Sequence, residues 1–436
     1  MSVNRHLLGL VLLLLLTFGS SLYGAGFALY QSSARGHVLG GLTAHGDDVA
    51  TLFYNPAGIT ELKDAEFMFG VTLISPDADV ELTNIYTGNT SKANTEEKLF
   101  APPHIYYSRP LRNNLWLGLT VGSRFGLSSE FERDFPGRYN SYNAEIVTME
   151  INPNIAWKVN DKFSLAFGIR AMYMDVTLES ATDAGALLGL PPNNPDTDTY
   201  DVYESINGDS LGYGFDVSAF YKASERWSFG VSYFSEVNQE VDNGVVNFER
   251  PDGLPDGFFM DSPGVAELDL PAFVFLGASY RAPSKRWSLG LGAVYTGWES
   301  FKEIRLEFDR PIVVIPGLGA AVTESVSVED WRDAWKWSIG YEFMLNEAFD
   351  IQTGFIYDDS PIREENLDYR LPTNDRIVYA VGVRYKPGVW TFDLGINYLQ
   401  LKDRTIPDQQ LEDGVLPSEV SNGEAWLIGM SASRKF

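Results

Sequence analysis

The chain of 436 residues carries a formal charge of −26, no cysteine and four histidines. That balance argues against nucleic acid or any other polyanion as partner. The lack of cysteine removes disulfides, thiol nucleophiles and thiolate metal sites, and histidines at 6, 37, 45 and 104 give no metal-ligand spacing, so no cofactor is expected.

Arg5 and His6 precede the apolar run Leu7–Leu16, and small or turn-prone residues follow from Gly19 to Gly26. A basic end, a short apolar core and a small-residue exit read as a secretory signal peptide over residues 1–24, cut near Gly24–Ala25. The apolar core falls short of the ~20 residues a membrane helix needs. No later stretch reaches ~18 continuous apolar residues, so the exported chain is either soluble or crosses a membrane as strands.

Residues 25–65 are rich in Gly and Ala and show no clear alternation. Leu29, Val38, Leu39, Val49, Leu52 and Phe53 call for burial. A segment of this length ahead of a large barrel can fold into its lumen as a plug.

From residue 66 onward the pattern has period two, which puts successive side chains on opposite faces. In Val389–Gln400, Trp390, Phe392, Leu394, Ile396 and Tyr398 share one face and Asp393, Gly395 and Asn397 the other. The same reading predicts about 14 strands, at 66–82, 98–109, 115–131, 143–158, 162–180, 209–223, 226–244, 264–282, 286–308, 329–344, 348–367, 371–387, 389–404 and 423–436. Many exceed the usual globular strand of about 5–6 residues. Tight connections (Val159–Asp161, Ala223–Glu225, Ala282–Lys285, Leu345–Glu347, Lys386–Gly388) alternate with mostly long ones. Short turns on one side and long loops on the other describe an outer-membrane barrel over residues 66–436. Phe163, Trp227, Trp287, Phe349 and Trp390 leave the tight turns as an aromatic girdle at the membrane boundary. Phe436 closes an amphipathic strand, the mark expected for the barrel-insertion machinery.

Several motifs in order along the mature chain resemble the FadL-type family of outer-membrane transporters for long-chain fatty acids and other hydrophobic compounds. They are Ala25-Gly26-Phe27, Asp47-Asp48, Asn55-Pro56-Ala57, Phe125-Gly126-Leu127, Tyr357-Asp358-Asp359-Ser360-Pro361, Asp375-Arg376 and Ala425-Trp426-Leu427. The resemblance implies a 14-stranded barrel plugged by an N-terminal hatch at 25–65. It implies no catalysis, a hydrophobic ligand such as a fatty acid or hydrocarbon, a monomeric state, and a setting among outer-membrane lipid and lipopolysaccharide.

Such transport needs an apolar site, a cation if the cargo is a carboxylate, and a gate. Phe27 belongs to the expected ligand site. Leu187, Leu188 and Leu190 in one long loop, and Ile312, Val313, Val314, Ile315 and Leu318 in another, are apolar groups displayed for an apolar partner. Arg305 aligns with a basic position that the family uses near its ligand's carboxylate, and Arg pairs with carboxylates through two parallel hydrogen bonds. Ser180 stands where a second basic residue is expected, which leaves room for uncharged hydrocarbons. Gly126 lies mid-strand, where Gly marks a bulge or bend, and the family kinks its wall there for sideways exit. Asn55, Pro56 and Ala57 form a turn of the hatch. The adjacent carboxylates Asp358 and Asp359 point to opposite strand faces and cannot act as a catalytic pair. An outer-membrane barrel enzyme and a general diffusion porin are the alternatives from other classes.

Overall fold

The computed structural model describes residues 26–30, 32–84, 88–96, 98–187, 200–254, 256–315, 320–406 and 413–436. The expected signal peptide at 1–24 lies outside them, as do Ala25, Leu188, Leu190 and Leu318.

Fourteen antiparallel strands close into one barrel. In chain order they are β1 Glu66–Thr83, β2 Pro103–Arg112, β3 in two pieces (Leu115–Gly122 and Gly126–Glu130), β4 Asn143–Lys158, β5 Phe163–Asp183 and β6 Asp201–Lys222. Three interrupted strands follow: β7 (Trp227–Phe234, Val237–Glu249), β8 (Ser262–Leu270, Phe273–Arg281) and β9 (Trp287–Thr296, Glu303–Phe308). The ring continues through β10 (Glu324–Val328, Ala334–Met344), β11 Phe349–Asp358, β12 Arg376–Tyr385, β13 (Trp390–Leu401, Arg404–Ile406) and β14 Ser418–Lys435. Each pairs with its chain neighbour, and β14 returns to pair with β1 from Glu66↔Lys435 to Leu82↔Ser418. Closure removes the free edges that a lipid environment forbids.

The period-two pattern sets which face is which. On β13, Trp390, Phe392 and Leu394 are exposed on the outside, while Asp393 and Asn397 are buried within. Phe167, Ile169, Leu211 and Tyr213 on β5 and β6 likewise face outward, with Arg170 and Asp216 inside. An apolar exterior over a polar lumen is the inverse of a soluble core and suits a membrane wall.

Several expected strand ends differ, most of all on β6 and β11. β6 begins at Asp201, because the β5–β6 hairpin continues to Asp201↔Asp183. That extension stands beyond the lipid-facing band, so nothing imposes the apolar–polar alternation by which a strand is recognised. β2 starts at Pro103 and β11 stops at Asp358. Pro361 follows shortly after, and proline cannot donate to a ladder.

β3 is broken where it matters most. Its ladder to β4 runs to Gly122↔Glu150 and resumes at Gly126↔Val147. Ser123, Arg124 and Phe125 therefore oppose only Thr148 and Met149, which is a bulge. On the other side, pairing with β2 ends at Val121↔Ile105. Beyond that point the seam between β2 and β3 carries no strand ladder among the described residues.

Candidate functional site

The N-terminal segment lies against the inside of the wall. It holds helix α1 (Ala34–Leu39), helix α2 (Thr51–Tyr54) and a 3-10 turn (Pro56–Glu61). Its apolar side chains Leu29, Val38, Leu39, Val49, Leu52 and Phe53 are all buried. Inward-facing glycines make room for it. A Cβ built on Gly354 of β11 would stand 1.8 Å from the Val38 carbonyl oxygen, and one on Gly230 of β7 1.9 Å from that of Thr43. No side chain fits such gaps, so the segment lies on bare wall backbone. Asn55 fastens it: its Nδ2 donates to the carbonyls of Thr43 (2.8 Å) and of Ala219 on β6 (3.0 Å). Asn55 also caps the turn that Pro56 opens, its Oδ1 accepting from Ala57 N at 3.1 Å.

Buried charges hold the same segment from below. Arg35 bonds to Glu342 of β10 (2.9 Å) and to Asp47 (3.0 Å). Arg384 of β12 joins Asp393 (2.7 Å) and reaches Asp48. Burial alone would raise the Asp48 carboxyl, but Arg384 and Arg35 outweigh it and hold the group below its usual range. Ions out of water persist only when paired in this way. Burial also pushes His37 down to about 4.

Above the segment lies an apolar cavity. The space between its walls, its open side included, is about 900 Å³. Met174, Val176, Leu268, Ile304 and Leu306 from several strands supply its sides. Its floor is Phe27, whose ring meets Trp298 (4.8 Å between centroids), Phe301 (5.5 Å), Trp331 (5.7 Å) and Phe125 (6.0 Å). Asn207, Glu267 and Glu307 also border it, and a polar corner is formed by Glu329, Asp368 and Arg370. There Arg370 bonds to Asp368 at 2.5 Å and approaches Glu329 at 3.4 Å. Trp331 Nε1 donates to Glu329 at 3.0 Å, and burial pushes the Glu329 carboxyl above its usual range.

The floor of the cavity is also the filling of the wall break. Leu29 N donates to the Arg124 carbonyl at 2.7 Å, and Gly126 N donates to the Phe27 carbonyl at 2.9 Å. Ala28 and Phe125 thus face each other as an antiparallel bridge. Three residues of the N-terminal segment stand in for the missing strand partner. Beside them is a cleft of about 10 Å³ between Leu29, Ile74, Pro103, His104 and Ser123.

The residues singled out from sequence are distributed unevenly around this geometry. Phe27 lies at the cavity, and Asn55, Pro56 and Ala57 lie at the seat of the segment. Arg305 does not line the cavity. Ile304 and Leu306 do, so strand alternation turns Arg305 to the opposite face, where it is 41% exposed and bonds to Glu303 and Glu324, each at 2.8 Å. Ser180 bonds to Glu204. Gly126 sits one residue past the break, and its φ is not positive, so no left-handed backbone demands glycine there. Leu187 ends a short helix, Ala184–Leu187. Ile312 and Val313 are not displayed; they pack with Val202, Val246, Phe258 and Phe259. Val314 is exposed. Arg370, Glu329, Trp331 and the seating glycines escape the sequence reading, because no periodicity says that they face one another.

The family described as "Outer membrane protein transport protein (OMPP1/FadL/TodX)" matches residues 16–436. The long-chain fatty acid transport protein of Escherichia coli O6:H1 is 25% identical over 440 residues, covering 95% of each chain. A 47 kDa outer membrane protein of Pasteurella multocida is also 25% identical, over 93% of this chain and 92% of its own. Among solved structures, a Pseudomonas aeruginosa FadL homologue superposes with a TM-score of 0.82 at 19% identity, covering 94% of this chain and all of that one. The P. putida toluene transporter TodX gives 0.67 at 13%, covering 94% and 99%. At those identities the structures speak for the fold.

Proposed function

The chain belongs to the outer membrane protein transport family (OMPP1/FadL/TodX), and we propose that it carries long-chain fatty acids across the outer membrane by a sideways route. Members of this family are transporters and channels, not enzymes, and hydrophobic uptake at the outer membrane is the role their names share. Cargo first meets apolar groups of the long loops, such as Val314, and then settles in the cavity over Phe27. Residues 25–65 act as the hatch that closes the lumen axis. When Phe27–Leu29 withdraw, the floor of the cavity and the filling of the β3 break open together, and the cargo passes between β2 and β3 into the bilayer. A sideways exit spares an oily molecule from crossing water.

The observation that carries this reading is that one tripeptide both floors the cavity and bridges the broken strand. Uptake of oleate by cells bearing the protein tests it, together with mass spectrometry of whatever co-purifies with the folded barrel. Oleate uptake and a bound fatty acid are expected. Passage of small hydrophilic solutes without oleate uptake would replace it with a diffusion porin. A second reading, transport of uncharged hydrocarbons, draws support from the cavity itself. Its one cation, Arg370, already bonds to Asp368 and approaches Glu329.

A further inference from the structure

Arg124 is the central residue of the break in β3, and its side chain is 99% buried. Its guanidinium lies between the rings of Phe53 and Phe234, with Cζ 4.0 and 3.9 Å from their centroids. Nε donates to Glu150 at 2.9 Å and Nη2 to the Phe53 carbonyl at 3.0 Å. Nη1 is buried without a hydrogen-bond partner. Glu150 is not free to give more, because Arg170 also binds it (Nε at 2.7 Å). Asp216 faces the same group of charges, but it bonds to Asn152 and to neither guanidinium. Two guanidiniums therefore share one carboxylate, and one strong donor is left unused on the residue at the centre of the break, facing the lumen side.

Buried donors without partners are rare in folded proteins, and each calls for an explanation. Guanidinium N–H groups take carboxylates in preference to neutral acceptors. We propose that Arg124, backed by Arg170, is a carboxylate station on the sideways route, receiving the headgroup of a fatty acid as it leaves the cavity for the gap between β2 and β3. This rests on the fatty-acid reading above and adds to it a place where acids are told from neutral chains. The cavity accepts any apolar chain, and Arg124 favours the onward passage of those that end in a carboxylate.

The test compares initial uptake rates of oleate and methyl oleate by cells making the wild-type chain, Arg124→Met or Arg124→Gln at equal outer-membrane levels. Methionine keeps the apolar contacts with both rings. Glutamine keeps a donor toward the Phe53 carbonyl, and it carries the comparison if the methionine variant does not assemble. Oleate uptake should fall about tenfold or more in either variant, while methyl oleate uptake stays at the wild-type rate. An equal fall for both compounds would overturn the proposal and make Arg124 a fastening for Phe53. Unchanged rates for both would overturn it as well, leaving the donor to water alone. If the wild-type chain takes up methyl oleate but not oleate, the fatty-acid reading itself fails, independently of the variants.

Discussion

The amide of Gly126 donates to the carbonyl of Phe27 across 2.9 Å, so a wall strand finds its missing partner in the chain's own N-terminal segment. Backbone groups at membrane depth must be satisfied within the protein. The bridge therefore satisfies backbone groups that the wall leaves unpaired, and the proposed sideways route makes its opening testable.

A disulfide placed across the bridge should lock it. Ala28 and Phe125 are directly opposed, close enough in an antiparallel pair for a cross-link, and the chain has no cysteine to interfere. Ala28→Cys with Phe125→Cys should abolish oleate uptake under oxidising conditions and recover it on reduction. Equal uptake in both states would mean that the bridge does not open during transport.

Gly354→Ala should unseat the hatch without unmaking the barrel. The added methyl would meet the Val38 carbonyl at 1.8 Å, and backbone cannot yield as a flexible side chain does. The barrel should still migrate differently on heating before electrophoresis, while the hatch becomes protease-sensitive and small solutes leak through the lumen. A tight, protected hatch in this variant would contradict the seating described above.

Acid should loosen the hatch around α1. His37 has its pKa lowered by burial to about 4, against an ordinary value near 6.5. The unseated state binds the extra proton between those values, so this contribution is whole above about pH 6.5 and lost as pH falls toward 4. It is worth a few kcal/mol, roughly, at full size. Hydrogen exchange of the amides of residues 34–39 at pH 7 and pH 4.5 measures it, with faster exchange expected in acid and a weaker dependence in His37→Gln. Identical protection at both pH values would exclude His37 as the source.

Arg305 and Phe27 should behave oppositely on truncation. Arg305→Ala removes an exposed pair with Glu303 and Glu324, and oleate affinity should stay within about twofold. Phe27→Ala empties the aromatic cluster on Trp298, Phe301 and Trp331. Buried Phe-to-Ala changes cost about 3–5 kcal/mol, here charged to the seating of residues 27–29 and seen as faster exchange of their amides. Strong loss of oleate binding in Arg305→Ala would return a carboxylate role to that residue.

The wall was legible because lipid imposes a rule that each strand obeys separately. Trp390, Phe392 and Leu394 must face out and Asp393 and Asn397 must face in, whatever the neighbours do. The burial of the N-terminal segment was legible from apolar residues such as Leu52 and Phe53, which had no wall strand of their own. Arg305 could be read from sequence either as a ligand cation or as the partner of a neighbouring acid, and the structure pairs it with Glu303 on its own strand and Glu324 on the next, a pairing set by register that hydropathy does not report. The kink was expected at Gly126, yet the interruption comes from three residues opposing two, which no single residue type announces. Arg124 and Arg370 sit in irregular segments, so nothing local told that one would be enclosed by Phe53 and Phe234 and the other by Asp368 and Glu329.

The glycine seat also constrains the order of biogenesis. Ala34 N donates to Ser431 on the last strand at 3.0 Å, and the Ser32 carbonyl accepts from Tyr106 on the second at 2.6 Å. The hatch thus touches wall on both sides of the β14–β1 seam, the final junction to form when strands pair in sequence. With carbonyl oxygens of residues 38 and 43 filling the space in front of Gly354 and Gly230, the finished ring has no slack through which to thread a folded insert. If the strands pair in chain order, docking of the N-terminal segment and closure of the β14–β1 seam are expected to occur together.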